Sequence, residues 1–587
     1  MKTFLLSLAG AFVAILLFII VSFLALGALI GAASASDPQP DEIILSLDLR
    51  SGYTDQAPTS GLAAFSGTVG FTDLLVKLDR ARADEDVKGI FIRSSESVVG
   101  SSRSEELRDA LIAFKESGKF VIAHSQGFFA SSPSSYRSIA AADEIWIQQG
   151  TSMGVTGISF ETPFIKGMLD DLSITAEFEA IGEFKNAPNT FRNETYTEPH
   201  RLALAEVADS LWTVSLADIA TDRGLEVADL RAALEAGMYD ASELIDLGLV
   251  DRLGWPEDAR EAARERAGEN AEFVSLSSYV APAAPAGAPM IAVLGGEGTI
   301  VTGGGGSDDP FAESVGFGSD RVARAILDAG KNEKVQAIVF RVDSGGGSAT
   351  ASSHIWNAVE RVQADGTPVI VTMGSTAASG GYYVSAGADH ILANDTTITG
   401  SIGIFAGKFA VAEGLERIGV NFENVTVGGE WTEAFGGDRF TDYQRNELRK
   451  MTEAGYEEFV NIVAEGRGMT YDEVNERARG RIWTGEDALE LGLVDSIGGF
   501  LDAIDVAKEL AGIEADTDVR LVYYPARLTG LEALESAFSV SAQSAEGLAS
   551  IAQLANDPHL QALIRDYQAA ASSQGDIQAR GPSLIER

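Results

Sequence analysis

Cysteine is absent from the 587 residues, which excludes disulfides and thiolate metal sites and leaves the redox state of the compartment unmarked. Histidine is scarce: the five are His124, His200, His354, His390 and His559. None stands in a Gly/Ser-rich motif followed by an acid, the setting of a Ser-His-Asp arrangement, and no His/Asp/Glu group has metal-ligand spacing. Positive charge is the third shortage. With 44 basic and 86 acidic residues the net charge is −42, which argues against nucleic acid or anionic lipid as the main partner and suits a salt-exposed compartment. Gly303 to Gly306 is followed by Ser307-Asp308-Asp309 and not by Gly-Lys-Ser/Thr, so it reads as a loop and not as a phosphate cradle. No cofactor is expected.

Charge is missing altogether from Phe4 to Ala33, where Ser7 and Ser22 are the only polar residues. A run of that length crosses a hydrocarbon core of about 30 Å. Lys2 precedes it and Asp37, Asp41 and Glu42 follow, so the bulk of the chain is expected on the extracytoplasmic, periplasmic side of the inner (cytoplasmic) membrane, held by one pass. Ala33-Ser34-Ala35 has the look of a signal cleavage site. Because a cleaved signal carries an apolar stretch of only about 7–15 residues, a retained anchor is the preferred reading.

What the chain has is a repeat. VKGIFIR at Val87–Arg93 answers VQAIVFR at Val335–Arg341, a shift of 341 − 93 = 248. AADEI at Ala141–Ile145 answers GADHI at Gly387–Ile391, a shift of 389 − 143 = 246, and MGVTGIS from Met153 answers TGSIGIF from Thr399. Three ordered matches at nearly constant shift define two units of roughly 230 residues, a comfortable size for a domain. Short apolar runs that read as buried strands alternate with amphipathic stretches such as Ser353 to Ala364, so each unit is expected to be α/β with a largely parallel sheet. Long helices are expected from His200 to Thr221 and from Asp442 to Arg467, as arms that bring subunits together.

The copies differ where chemistry would sit. Thr376-Ala377-Ala378-Ser379-Gly380-Gly381-Tyr382 closes the strand that starts at Pro368, whereas the first copy has Pro133 at the position of Ser379. Asp343-Ser344-Gly345-Gly346-Gly347-Ser348 follows a strand in the second copy, and Ser95 to Gly100 keeps only its last glycine in the first. Glycines after a strand let backbone N–H groups approach a ligand, so Gly347, with Gly346 beside it, and Gly380 are candidates for holding an oxyanion. Ser379 is the candidate nucleophile. A serine hydroxyl needs a base, and His390, the nearest histidine in sequence, starts a strand where its counterpart is Glu144, so it reads as an edge residue. Lysine is the remaining candidate.

Met373 to Tyr383, the Asp343–Ser348 loop and Thr399–Phe405 together resemble the signal peptide peptidase A family in its long, duplicated form, from the N-terminal apolar segment to about residue 515. The resemblance implies tandem units with a fold similar to Clp protease and the crotonases, and a serine peptidase working by a Ser/Lys dyad split between the copies. Ser379 is then the nucleophile. Ile181-Gly182-Glu183-Phe184-Lys185-Asn186-Ala187 matches the family's Gly-x-Tyr-Lys-Ser-Ala pattern and makes Lys185 the base, with Phe184, Asn186 and Gly345 as departures from the usual Tyr, Ser and Pro. The second copy has Gly429-Glu430-Trp431-Thr432 there, without lysine. Ser401 corresponds to a hydroxyl that orients the lysine. Such a base must be neutral, so Lys185 is expected to be buried and to titrate low. By the same resemblance the substrates are remnant signal peptides, and the chains form a homotetramer.

The expected organisation is an anchor at 4–33, a lysine-bearing unit at 42–278, a Pro/Ala linker at 279–289, a serine-bearing unit at 290–514 and a tail at 515–587 with no assigned role. Two rivals remain. A crotonase-like acyl-CoA hydratase needs neither dyad nor anchor, and a silent membrane scaffold would keep the fold without acylating its serine.

Overall fold

The computed structural model describes residues 39–57, 69–96, 99–129, 131–305 and 316–526. The anchor expected at 4–33, Gly306 of the glycine run and most of the tail, where the sequence suggests a helical patch around 556–571, lie outside the described residues. Among the described residues no helix is long and apolar enough to cross a membrane.

The apolar runs of the first unit become strands because their branched and aromatic side chains fill both faces of a sheet. The strands are β1 (Ile43–Asp48), β2 (Val87–Ser94), β3 (Phe120–Ser125), β4 (Glu144–Ile147), β5 (Ser152–Met153), β6 (Thr175–Ala180), β7 (Tyr239–Asp240), β8 (Arg252–Leu253) and β9 (Glu272–Ser275). Six of them form one sheet in the order β8-β4-β3-β2-β1-β9, parallel throughout. Neighbouring residues point to opposite faces. Ile43, Leu45 and Ile90 therefore enter one core, and Ile44, Phe91 and Ile122 enter another.

The second unit repeats the plan with β10 (Met290–Glu297), β11 (Ile300–Val301), β12 (Phe317–Gly318), β13 (Val335–Ser344), β14 (Val369–Ala378), β15 (His390–Ala393), β16 (Ile398–Gly400), β17 (Phe405–Ala410), β18 (Ile482–Thr484), β19 (Ser496–Ile497) and β20 (Arg520–Tyr523). Here β10, β13, β14, β15, β19 and β20 take the places of β1, β2, β3, β4, β8 and β9. One face of this sheet, through Ile291, Val293, Ala337, Val339 and Ile370, shares a core with the first sheet. Helices Phe71–Ala81, Ser101–Glu116 and Phe500–Leu510 fill the space between, and fully burying side chains such as Leu111, Phe114 and Phe500 contributes about 1.5–3 kcal/mol each. The two units are thus bonded into one body by a common apolar layer.

Two boundaries differ from the expected ones. Tyr279, at the start of the expected linker, is 1% exposed and its hydroxyl donates to Asp84 Oδ2, so it belongs to the first core. The second unit runs past 514 because β20 pairs with β10 just as β9 pairs with β1. The long helices are Glu198–Arg223 and Asp442–Arg467, begun by the side-chain caps Thr197 and Thr441 and ended by Gly224 and Gly468 in the left-handed region.

A second junction consists of backbone. β6 of the first unit pairs antiparallel with β17 of the second, from Ala180 opposite Phe405 to Thr175 opposite Ala410. Phe178, Phe191 and Phe409 pack on it with ring centroids 5.1–5.8 Å apart. The loop that follows β6 carries Lys185, and the ribbon delivers it to the other unit.

Candidate active site

Ser379 sits where β14 breaks into the short helix Gly380–Ser385, with φ 53° and ψ −115°. A non-glycine residue in the left-handed region costs about 1–3 kcal/mol and persists only when its surroundings enforce it. The enforcement is visible. The Ser379 N–H donates to the Gly400 carbonyl at 2.8 Å, and a Cβ on Gly381 would lie 2.4 Å from the Ser344 carbonyl. The following residues must be glycine for the turn to close against the Asp343–Ser348 loop.

Lys185 is brought to that turn by close backbone approaches. Phe184 N–H donates to the Arg479 carbonyl at 3.1 Å, and a Cβ on Gly480 would fall 2.5 Å from Lys185 Cα. The side chain is 5% exposed, and its Nζ lies 2.9 Å from Ser379 Oγ, 3.0 Å from Ser401 O and 3.0 Å from Ser401 Oγ. Burial pulls the ammonium down to about 7, and no carboxylate opposes it. A neutral amine has two N–H donors and one lone pair. The two Ser401 oxygens accept the donors, leaving the lone pair for the Ser379 proton.

Ser401 is itself held in the left-handed region at φ 48°, its N–H donating to the Arg481 carbonyl at 2.7 Å. Across the cleft, Gly347 and Gly380 bring their amides together: a Cβ on Gly380 would stand 3.1 Å from Gly347 N. Among the described residues neither N–H donates to a protein acceptor. Gly346 differs from the expected role. Its N–H is engaged by Ser344 Oγ at 3.1 Å, and with φ 107° it serves by lacking a side chain, since a Cβ there would be 2.7 Å from Gly380 N. The two amides left without a protein acceptor at this turn are therefore those of Gly347 and Gly380.

Ser379, Lys185, Ser401 and Gly347 line one open cleft of about 560 Å³ together with Ile300, Val301 and Phe405. The β11 residues escaped the sequence reading because a two-residue strand has no periodicity to detect. They are fixed in place by the Gly346–Ser348 loop, with Ile300 N–H donating to Gly346 O at 3.0 Å and Ser348 N–H to Ile300 O at 2.9 Å. Among the described residues no histidine lines this cleft: His124 Nε2 is 3.1 Å from the Gly254 carbonyl, and His390 Nε2 is 2.8 Å from Ser496 Oγ. In the first unit Pro133 opens the buried helix Pro133–Ala140, at the position Ser379 holds in the second. Among the described residues no His, Asp or Glu cluster could hold a metal ion.

A doubled α/β body with a buried lysine on a strained serine beside two free amides has the parts of a serine-type peptidase. The model of peptidase family S49 matches residues 113–270 and 361–514, one segment in each unit. Protease 4 of Salmonella typhi is 31% identical over 461 residues, 75% of this chain and 72% of that one. Protease 4 of Haemophilus influenzae is 29% identical, covering 76% and 74%, and the chloroplastic serine protease SPPA of Arabidopsis thaliana is 26% identical, covering 82% and 71%. The chain belongs to peptidase family S49, and it is a serine-type peptidase.

Proposed function

We propose that this protein is an endopeptidase that cleaves through a Ser379/Lys185 dyad. Ser379 Oγ attacks a peptide carbonyl while Lys185 Nζ takes its proton. The Gly347 and Gly380 N–H groups receive the oxyanion, Lys185 then protonates the leaving amine, and water resolves the acyl-enzyme by the same route. Ser401 holds the amine in place. The observation that carries this reading is the 2.9 Å approach of a lysine from one unit to a serine of the other, both deep in the same cleft.

The substrates in this reading are remnant signal peptides, and the residues at 4–33 form the membrane anchor that keeps the enzyme beside them on the extracytoplasmic side. The open cleft favours an extended chain held by its backbone, which tolerates many sequences.

The assembly in this reading is a homotetramer, for which the repeat offers support. The β17 and β6 positions shift to 405 − 246 = 159, 410 − 246 = 164, 175 + 246 = 421 and 180 + 246 = 426. Neither 159–164 nor 421–426 belongs to a strand in the single chain, and Val425 and Val427 are 99% and 92% exposed. A ladder between 421–426 of one copy and 159–164 of the next would repeat between chains the ribbon already formed within one, a head-to-tail contact that closes into a ring.

The test is a fluorophosphonate serine probe on the detergent-solubilised protein, with the label located by mass spectrometry. Labelling at Ser379 that vanishes in Ser379→Ala and Lys185→Ala supports the dyad. A wild-type oligomer that never labels would favour the silent scaffold.

A further inference from the structure

The strand that carries Ser379 is not regularly paired with the strand that carries the glycine loop. Between β13 and β14 the ladder runs evenly from Ile338 opposite Val369 to Val342 opposite Met373, and resumes with Ser344 opposite Ala377. One residue of β13, Asp343, therefore faces three of β14: Gly374, Ser375 and Thr376. Such a bulge leaves backbone groups without ladder partners. The Asp343 carboxylate fills that gap, its Oδ1 accepting the Thr376 N–H at 3.1 Å. Gly374 gives it room, because a Cβ there would lie 2.7 Å from Asp343 Cβ.

The other carboxylate oxygen is held from across the molecule. Arg103, on helix Ser101–Glu116 of the first unit, reaches Asp343 Oδ2 at 3.2 Å with the same Nη2 that reaches Glu297 Oε1 at 2.7 Å. Its Nε donates to Asp55 Oδ1 at 3.0 Å and its Nη1 to the Tyr53 carbonyl at 2.8 Å, so the guanidinium is fixed on three sides. Glu297 ends β10, three residues before Ile300 receives the glycine loop. Arg103 thus touches the roots of both walls of the cleft, at 16% side-chain exposure. The first unit shows the contrast. A shift of 248 puts Ser95 at the place of Asp343 (343 − 248 = 95), and its β2–β3 ladder runs without a bulge to Ser94 opposite Ser125. In the first unit a different carboxylate meets the strand extension: Glu96 Oε1 accepts the Phe129 N–H at 2.8 Å.

We propose that Asp343 is a positioning residue: it closes the bulge under Ser379, and Arg103 of the first unit orients it, so the distance from Ser379 to the Gly347 amide is set from the opposite half of the molecule. This rests on the dyad reading given above. Only Ala378 separates Ala377, where pairing resumes, from Ser379, so any slip of the bulge moves Oγ directly. The chemistry is intolerant of such a slip, since a misplacement of about 1 Å costs about 100-fold in rate.

The experiment compares Asp343→Ala, Asp343→Asn and Arg103→Gln in the full-length protein with the wild type and with Lys185→Ala. The measurements are kcat and KM on a peptide, the rate of fluorophosphonate labelling, and the thermal midpoint. Asp343→Ala removes the acceptor for Thr376 and is expected to lower kcat and labelling roughly 10- to 100-fold with KM nearly unchanged. Asp343→Asn keeps an acceptor oxygen at that place and is expected to recover kcat to within about threefold of wild type. Arg103→Gln is expected to fall between them. An Asp343→Ala enzyme with wild-type kcat overturns the proposal. So does an equal loss in Ala and Asn variants that tracks a fall in thermal midpoint, which is the signature of a structural role alone. Failure of the dyad reading looks different: wild type that does not label at Ser379, or Lys185→Ala that labels as fast as wild type, removes the dyad and the positioning claim with it.

Discussion

Lowering the pH from 8 to 6 is expected to cut kcat/KM about tenfold, a consequence of where Lys185 is placed. Burial holds its amine at about 7. In the proposed dyad only the neutral form accepts the Ser379 proton, so about nine-tenths of the enzyme would be competent at pH 8 and about one-tenth at pH 6. The profile should rise tenfold per unit below 7 and flatten above 8. An exposed lysine would still be climbing tenfold per unit at pH 9. The same shift has a stability side. Relative to the ordinary lysine value of 10.5, a folded value of about 7 corresponds to roughly 5 kcal/mol. The folded state binds fewer protons than the unfolded chain between those values, so the cost is complete below pH 7 and disappears as the pH rises towards 10.5. Lys185→Met, which keeps the volume and drops the charge, is expected to be inactive yet to raise the thermal midpoint at pH 6 and not at pH 10. The assays are initial peptide-hydrolysis rates across pH 5–10 and differential scanning fluorimetry at both ends. A rate profile with no plateau below pH 9.5, or a Lys185→Met variant stabilised equally at both pH values, would refute the reasoning.

Three further outcomes follow from geometry. Ser401→Ala removes one of the two acceptors 3.0 Å from the amine and keeps the Ser401 carbonyl, so a loss of about 5- to 20-fold in kcat is expected, read by steady-state kinetics. Arg341 is 1% exposed and pairs with Asp55 at 2.8 Å and Glu106 at 2.6 Å; Arg341→Met leaves the buried Glu106 without its cation and Asp55 with Arg103 alone, and is expected to cost about 3–5 kcal/mol, measured by urea unfolding. Val425→Asp together with Val427→Asp places charge on a segment that is nearly fully exposed in the single chain, so light scattering should report smaller particles with an unchanged thermal midpoint of the subunit.

The repeat, the α/β plan and the long helices were legible because each leaves a local trace: apolar runs, matched spacing, a Thr cap at one end and a glycine at the other. Ser379 and Gly347 were legible for a related reason, since tight turns and close approaches demand glycine at fixed offsets. Lys185 is different. Nothing local marks it, and its place depends on the β6–β17 ribbon, which joins residues more than 200 positions apart; resemblance pointed to it where spacing could not. Gly346 was misread because a glycine that donates an amide and a glycine that merely makes room look alike in sequence. Arg103 and Asp343 left no signal, because a bulge is a property of two strands and an ion cluster of four or five elements. The end of the second unit was placed too early for the same reason: β20 is four residues whose assignment depends on a partner at Met290–Val293.

The lysine reaches the serine only through a ribbon made of both units, and this constrains when the enzyme can exist. A ribosome that has finished the first unit has made a chain with the base and no Ser379. In the proposed dyad, a second unit on its own has the nucleophile and no base, because Thr432 stands where the lysine would be. If the proposed dyad carries the activity, hydrolytic power appears only after synthesis has passed Ile482–Thr484, the strand that braces β16, and the two units have docked. In that reading, completion of the tertiary structure is the event that joins base and nucleophile.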